Sequence, residues 1–140
     1  MTKNQTSLQD RDYVEAASLR EALRAFARRT ELATREARLT PRIYQLMLMV
    51  RTARNGDAAS LVELEERLQL GKSTITELVS RCEGRGLVRR ELDRNRRRGI
   101  RIRLTPAGAR RLERVVESLG DERRHLLDLL GVLAGRGDGR

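Results

Sequence analysis

Aromatic residues, cysteine and histidine are scarce in this chain of 140 residues. The only aromatic side chains are those of Tyr13, Phe26 and Tyr44. With Cys82 as its single cysteine the chain cannot form an internal disulfide, and one cysteine with one histidine is too few for an ordinary zinc site. We therefore expect neither a structural metal ion nor a cofactor.

Long apolar segments are also absent. No run reaches the roughly 20 apolar residues that cross a bilayer, and the N-terminus is polar as far as Asp12, unlike a signal peptide. We expect a cytoplasmic protein with no membrane partner.

The length suits one domain with its own core, and an apolar content of 39% argues against disorder.

Lysine is almost missing, although the formal net charge is +10. Of the 30 basic residues only Lys3 and Lys72 are lysines, so nearly all the positive charge is guanidinium, which binds phosphate through paired hydrogen bonds. Residues 69–111 contain 13 basic and four acidic side chains, a net charge of +9. This concentration predicts a nucleic-acid contact in the middle of the chain.

Residue patterns typical of catalysis are not found. We see no Ser/His/Asp or Cys/His set, no glycine-rich phosphate loop and no carboxylate pair of recognisable spacing, so we do not expect an enzyme.

Cys82 can be a redox sensor or a core residue, and its apolar neighbours at helical spacing favour the core. We expect His125 on the surface or at an interface, and not as a pH switch.

Apolar residues at helical spacing predict a long first helix and a shorter second one. In the first, over residues 11–37, they are Ala16, Leu19, Leu23, Phe26 and Thr30. Thr40-Pro41 combines a hydroxyl cap with a proline at the first helical position, which predicts a second helix that ends at Asn55-Gly56. A loop is expected to follow through Ala59.

The same Thr-Pro signal recurs at Thr105-Pro106 and predicts a helix near the C-terminus. An apolar stripe with a period near 3.5 follows, and Gly120-Asp121 is expected to bend or divide the helix. The stripe residues are Leu112, Val115, Val116, Leu119, Leu126, Leu127, Leu130 and Leu133.

Between these segments the sequence predicts a helix-turn-helix. Ser60 and Glu63 form the pattern of a capping box, Leu70-Gly71 is expected to make the turn, and a second helix follows to about Gly84. Its expected inner side carries Ile75, Leu78, Val79 and Cys82. Its other side has small polar groups flanked by cations, which suits the major groove of DNA. The predicted contacts are Lys72, Ser73, Thr74, Thr76, Glu77, Ser80 and Arg81.

After Gly86 the apolar spacing changes to every second residue, which predicts a two-stranded hairpin. Between Arg89 and Arg103 the hairpin has eight arginines, opposed only by Glu91 and Asp93. Its loop has no apolar side chain and must face water or a polyanion. The minor groove is the expected site, although a solvated loop is the alternative. The predicted contacts are Arg94, Arg96, Arg97 and Arg98.

Three segments resemble the MarR-type (multiple antibiotic resistance regulator) transcription factors: LQLGKSTIT at residues 68–76, RGLVRR at 85–90 and IRLTPAG at 102–108. The resemblance implies a mainly α (α+β) fold, with a winged helix-turn-helix lobe, a two-stranded wing and long terminal dimerisation helices. We accordingly divide the chain into a flexible N-terminus (1–10), an N-terminal dimerisation helix (11–39), a DNA-binding lobe (40–108), C-terminal dimerisation helices (109–134) and a disordered tail (135–140).

The resemblance further implies a homodimer that reads a pseudo-palindromic operator in double-stranded DNA, and repression that a small-molecule effector relieves. Arg98 matches the wing arginine of the family. Arg96, however, stands where the family usually has the aspartate that orients this arginine, so that salt bridge is not expected. Gly71 replaces a usual serine, and Glu77 occupies a commonly basic position.

Two other functions compete with a sequence-specific regulator. One is a sequence-tolerant architectural protein that coats or bends DNA, and the other is an interaction module that docks on an acidic protein. The effector-binding residues stay unassigned. Tyr44, Met47 and Met49 can line an effector pocket, but core packing is the favoured interpretation.

Overall fold

The computed structural model describes residues 7–56, 58–93 and 99–135, which form six helices and three strands. In chain order they are α1 (Asp10–Glu36), α2 (Pro41–Arg51), β1 (Ala58–Ser60), α3 (Leu61–Leu68), α4 (Lys72–Gly84), β2 (Val88–Asp93), β3 (Gly99–Leu104), α5 (Pro106–Ser118) and α6 (Gly120–Gly135). The predicted winged helix-turn-helix fold, mainly helical with a small sheet, is confirmed.

The chain divides into two compact units. Residues 30–120 form one, and the residues up to 29 together with those from 121 form the other. No helix in the described ranges is long and apolar enough to cross a membrane.

Hydroxyl caps begin the helices that precede and follow the sheet. The side-chain oxygens of Thr40 and Thr105 accept hydrogen bonds from the N–H groups of Ile43 (3.2 Å) and Gly108 (3.0 Å), as the two Thr-Pro pairs predict. Ser60 caps α3 in the same way, through the N–H of Glu63 at 3.1 Å.

Of the two hydrogen bonds of the predicted capping box at α3, only the one from the Glu63 N–H to the Ser60 hydroxyl oxygen forms. The Glu63 carboxylate is buried and accepts instead from the backbone N–H of Arg54 at 3.1 Å, and it pairs with Arg67 at 3.1 Å. A buried carboxylate needs a cationic partner, and Arg67 supplies it. Arg67 also donates to the carbonyl oxygens of Met49 and Thr52, which closes α2 before the predicted end at Asn55-Gly56.

The segment expected to be a loop through Ala59 contains β1. Its residues pair antiparallel with β3, with Ala59 opposite Ile102, so the sheet has the order β1-β3-β2. The predicted two-stranded hairpin is therefore extended by a third strand.

The turn between α3 and α4 differs in detail from the prediction. Gln69 has the left-handed conformation, with φ of 53°, whereas Gly71 has φ of −69° and precedes α4. The N–H of Gln69 bonds the carbonyl of Glu65 and ends α3. The turn thus does not depend on the glycine.

The core of the 30–120 unit lies between its helices and the inner face of the sheet. The predicted inner residues of α4 are all buried, as are Tyr44 and Met47 of α2, while Met49 is partly buried against them. This burial favours the packing role for Tyr44, Met47 and Met49. The most deeply buried large side chains of the core include Leu46, Met47, Leu64, Ile75, Leu87 and Ile102.

The C-terminal apolar stripe is divided at Leu119, as Gly120-Asp121 predicts. Leu112, Val115 and Leu119 lie in the core of the 30–120 unit. In α6, Leu127 and Leu130 are exposed.

Candidate nucleic-acid interface

Helix α4 presents a polar face opposite the side that packs into the core. Ile75, Leu78, Val79 and Cys82 anchor the helix. Of the predicted DNA contacts on α4, Thr74 is half-buried and the others are exposed, namely Lys72, Ser73, Thr76, Glu77, Ser80 and Arg81. The helical period therefore brings these residues to one accessible surface.

Two contacts are made within this face in the free chain, and one of them is an ion pair. The Arg81 guanidinium lies 2.6 Å from the Glu77 carboxylate, an i,i+4 pair that neutralises both groups. The Thr76 hydroxyl donates to the carbonyl of Lys72 at 2.8 Å. Lys72 consequently carries the unpaired charge of this face, near the start of the helix.

The N-terminus of α4 has no side-chain cap. Gly71 precedes it and makes no such hydrogen bond, in contrast to Thr40, Ser60 and Thr105 at their helices, and the first turn has no acidic residue. Its N–H groups therefore keep their capacity to bind an anion, and the partial positive charge of the helix end adds to that of Lys72.

Arg90 links α4 to the sheet. From β2 its Nη2 donates to the Ser80 hydroxyl at 3.1 Å, and its Nε lies 3.5 Å from a carboxylate oxygen of Glu83. The sequence placed Arg90 only among the charges of the hairpin. No sequence signal identifies the link, because it depends on the packing of β2 against α4.

The stem of the hairpin carries alternating charges on one face. Glu91 accepts from Arg103 Nε at 3.0 Å and lies 3.1 Å from Arg89 Nε, while Asp93 lies 3.2 Å from Arg101 Nε. The hydrogen bond from Arg103, above all, holds the pKa of Glu91 below its ordinary value of 4.5. These arginines are therefore partly neutralised, and the stem is less positive than the arginine count alone suggests.

Arg101 also fixes the base of the hairpin. Its Nη1 donates to the carbonyl of Asn55 at 3.3 Å, and β2 and β3 stay in register as far as Asp93 opposite Gly99. The predicted contacts at the tip, Arg94, Arg96, Arg97 and Arg98, lie outside the described residues.

Cys82 is fully buried in the core, and burial raises its pKa to about 11. A thiol with so high a pKa is a poor nucleophile at neutral pH, which fits the packing role expected for it.

His125 is exposed on α6, in agreement with its predicted surface position. Within the described ranges no cluster of histidine, cysteine or acidic residues suits a metal ion.

The model of the MarR family matches residues 39–99, from just before α2 to the start of β3. No curated protein sequence matches the chain significantly. Among solved structures, AbsC, a MarR family transcriptional regulator from Streptomyces coelicolor, is 25% identical, with a TM-score of 0.73 over 89% of this chain and 84% of AbsC. A MarR family protein from Bacillus stearothermophilus is 27% identical, with a TM-score of 0.68 over 89% and 83% of the two chains.

The same fold occurs in a mutant MarR from E. coli that was solved in complex with operator DNA. That protein is 19% identical, with a TM-score of 0.70 over 96% of this chain and all of its own. The family match covers α4 and most of the sheet, and the structural likeness extends over both terminal helices. Residues 39–99 thus match the MarR family model, and the fold is shared with MarR family transcriptional regulators.

Proposed function

We propose that the chain is a homodimeric repressor that binds a pseudo-palindromic operator in duplex DNA and is released by a small ligand. In each protomer α4 lies in the major groove, and the tip of the hairpin reaches the adjacent minor groove. The observation that carries this proposal is the exposed polar face of α4, with its uncapped N-terminus, beside an arginine-rich hairpin.

The residues of α4 divide into two groups by the length and charge of their side chains. The short polar side chains and Glu77 contact base edges, and Glu77 accepts from the N4 amino group of a cytosine. Lys72 and Arg81 bind phosphates. The exposed Glu77–Arg81 pair is worth little in water, so exchanging it for a base and a phosphate costs little. The proposed base contacts are Ser73, Thr74, Thr76, Glu77 and Ser80.

The hairpin contributes charge more than base recognition. Arg98 enters the minor groove, whose negative potential is strongest where it is narrow, and the other tip arginines bind the phosphates on either side. The ion pairs of the stem support this division, because they occupy Arg101 and Arg103 within the protein. The other tip arginines are Arg94, Arg96 and Arg97.

Apolar surface on the unit formed by the two chain ends supports dimerisation. Exposed apolar side chains in such number are normally covered by a partner, and a second copy with two-fold symmetry supplies one. The two DNA-binding lobes of such a dimer reach successive major grooves. The exposed apolar residues of this unit include Leu8, Tyr13, Val14, Leu19, Leu23, Leu127, Leu129 and Leu130.

Selection from a pool of random duplexes tests the proposed function. The expected product is one enriched motif of two inverted half-sites whose centres are about 10 base pairs apart, one helical turn of DNA. The MarR protein solved with operator DNA supports this expectation for a protein of the same fold.

Three outcomes contradict the proposal. Retention of duplexes without a shared motif indicates an architectural protein that coats DNA through its arginines. A single half-site without symmetry indicates a monomeric reader. Failure to retain any duplex, together with capture of an acidic protein, indicates an interaction module.

A further inference from the structure

A small cleft lined mainly by arginine lies between the C-terminal end of α1 and the side of α5. Its volume is about 300 Å³, and its lining residues are Glu36, Ala37, Arg38, Arg111 and Arg114. Three guanidinium groups and one carboxylate leave this lining with a net formal charge of +2. Within residues 7–56, 58–93 and 99–135, none of its four charged side chains is in an ion pair.

The backbone on both sides of this arginine cleft is fixed. Arg38 has a left-handed φ of 56°, its N–H donates to Arg35 at 3.0 Å, and its carbonyl accepts a hydrogen bond from the Arg85 guanidinium. Arg111 and Arg114 are three residues apart on α5, so they share a helix face, and Arg111 is half-buried. The cations are thus brought together by two elements before any ligand arrives.

Convergence of three cations with only one carboxylate beside them costs free energy, and a bound anion lowers that cost. Guanidinium groups match phosphate oxygens in geometry as well as charge. The volume is at the lower end of the range for small-molecule sites, roughly 300 Å³ upward. We propose that the arginine cleft binds a small phosphorylated molecule, through a phosphate or diphosphate group held by Arg38, Arg111 and Arg114.

The position of the cleft argues for a small molecule and against the phosphates of bound DNA. Arg85, which contacts Arg38, follows the C-terminal end of α4. The uncapped end of α4, where the proposed DNA contact begins, is 13 residues away, or about 20 Å along the helix. The cleft is therefore remote from the Lys72 end of the proposed operator contact, whereas Arg81, the other proposed phosphate contact on α4, is four residues before Arg85.

Isothermal titration of the full chain with inorganic pyrophosphate, without DNA and at constant ionic strength, tests the site. The wild-type chain is expected to bind one pyrophosphate, and Arg111→Gln or Arg114→Gln is expected to weaken binding about tenfold, the effect of removing one charged hydrogen-bond donor. Arg110→Gln is the matched control, because Arg110 is an exposed residue of the same helix outside the cleft lining. It is expected to bind within about twofold of wild type.

The proposal is overturned if the wild-type chain binds no pyrophosphate, or if all three variants weaken it equally, which indicates general charge attraction. A second titration, with a random duplex at several salt concentrations, addresses DNA as the source of the phosphate. We expect equal slopes of log affinity against log salt for the three variants. A slope flatter by about one for Arg111→Gln and Arg114→Gln than for Arg110→Gln assigns the cleft to a DNA phosphate and contradicts the proposal.

Discussion

At the scale of single residues, Gly108 leaves no room for a side chain. A Cβ atom there would lie 2.0 Å from the carbonyl oxygen of Leu87, which is a backbone atom and cannot turn away as a side chain can. Gly108→Ala must therefore move the start of α5 away from the backbone of Leu87. We expect a loss of about 2 kcal/mol in the free energy of unfolding, measured by urea denaturation.

Gly84→Ala is the control for that substitution. Gly84 ends α4 with no atom within 4 Å of an added Cβ, so we expect unchanged or slightly higher stability. Equal urea midpoints for Gly108→Ala and wild type would show that α5 can shift without cost.

Glu91 makes the stability of the wing depend on pH. Its pKa is lowered in the folded chain, mainly by the hydrogen bond from Arg103. A lowered pKa stabilises the fold above the unfolded-state value of about 4.5, and this contribution is lost as the pH falls through the folded-state value. We expect Glu91→Gln to lower the urea midpoint at pH 7, and the difference from wild type to shrink in a second measurement at a pH below 4.5.

Glu117→Gln serves as the comparison, since Glu117 is an exposed residue of α5. It is expected to change the midpoint little at either pH. A difference between Glu91→Gln and wild type that stays constant with pH contradicts the role given to the Arg103 hydrogen bond.

At the scale of elements, Arg90 positions α4 against the hairpin through Ser80 and Glu83. Arg90→Gln removes both interactions, so the polar face of α4 and the hairpin are no longer held in a fixed relation. We expect the ratio of operator affinity to random-duplex affinity to fall about tenfold, measured by fluorescence anisotropy at fixed salt.

Arg89→Gln removes the same charge from the neighbouring residue without touching α4. It is expected to weaken operator and random duplex alike and to leave the ratio unchanged. The same fall of the ratio in both variants would mean that Arg90 acts only through its charge.

The hairpin tip is expected to act through phosphate charge. Replacing Arg96, Arg97 and Arg98 with alanine should weaken DNA binding and flatten the slope of log affinity against log salt by about 0.9 for each phosphate that is no longer neutralised. Arg98→Ala alone should show part of this effect. An unchanged slope for the triple variant contradicts a phosphate-binding tip.

Most elements could be predicted from the sequence because their signals are local. Thr40-Pro41 and Thr105-Pro106 start helices through their own side chains, and the spacing of Ile75, Leu78 and Val79 orients α4. Strand β1 could not be predicted, since Ala58, Ala59 and Ser60 have little intrinsic preference for a strand and are extended by pairing with β3.

The polar face of α4 could be identified in the same way, but its contacts could not. The spacing placed Thr76, Glu77 and Ser80 on one side of a helix. The bond from Arg90 to Ser80 and the use of Glu63 by Arg54 and Arg67 both depend on tertiary packing. Sequence spacing contains no information on such contacts between elements.

At the scale of the whole molecule, the distribution of charge is more informative than its total. Residues 69–111 hold a net +9 of the +10, and part of this charge is opposed by carboxylates within the stem. Lys72 carries the unpaired charge on the polar face of α4, and the arginines at residues 94–98 are proposed to add theirs on DNA. The proposed function thus combines a charge-based attraction to any duplex with base discrimination by the polar face of α4.

The most direct test of this account is the ratio of operator affinity to random-duplex affinity at fixed salt, for wild type and Thr76→Val. Valine keeps the shape of threonine and removes only the hydroxyl on the exposed face of α4. The account predicts a ratio of about a thousand or more for wild type, and a fall of about tenfold for Thr76→Val with random-duplex affinity unchanged. A wild-type ratio near one, or equal weakening on both duplexes by Thr76→Val, would contradict base reading by α4.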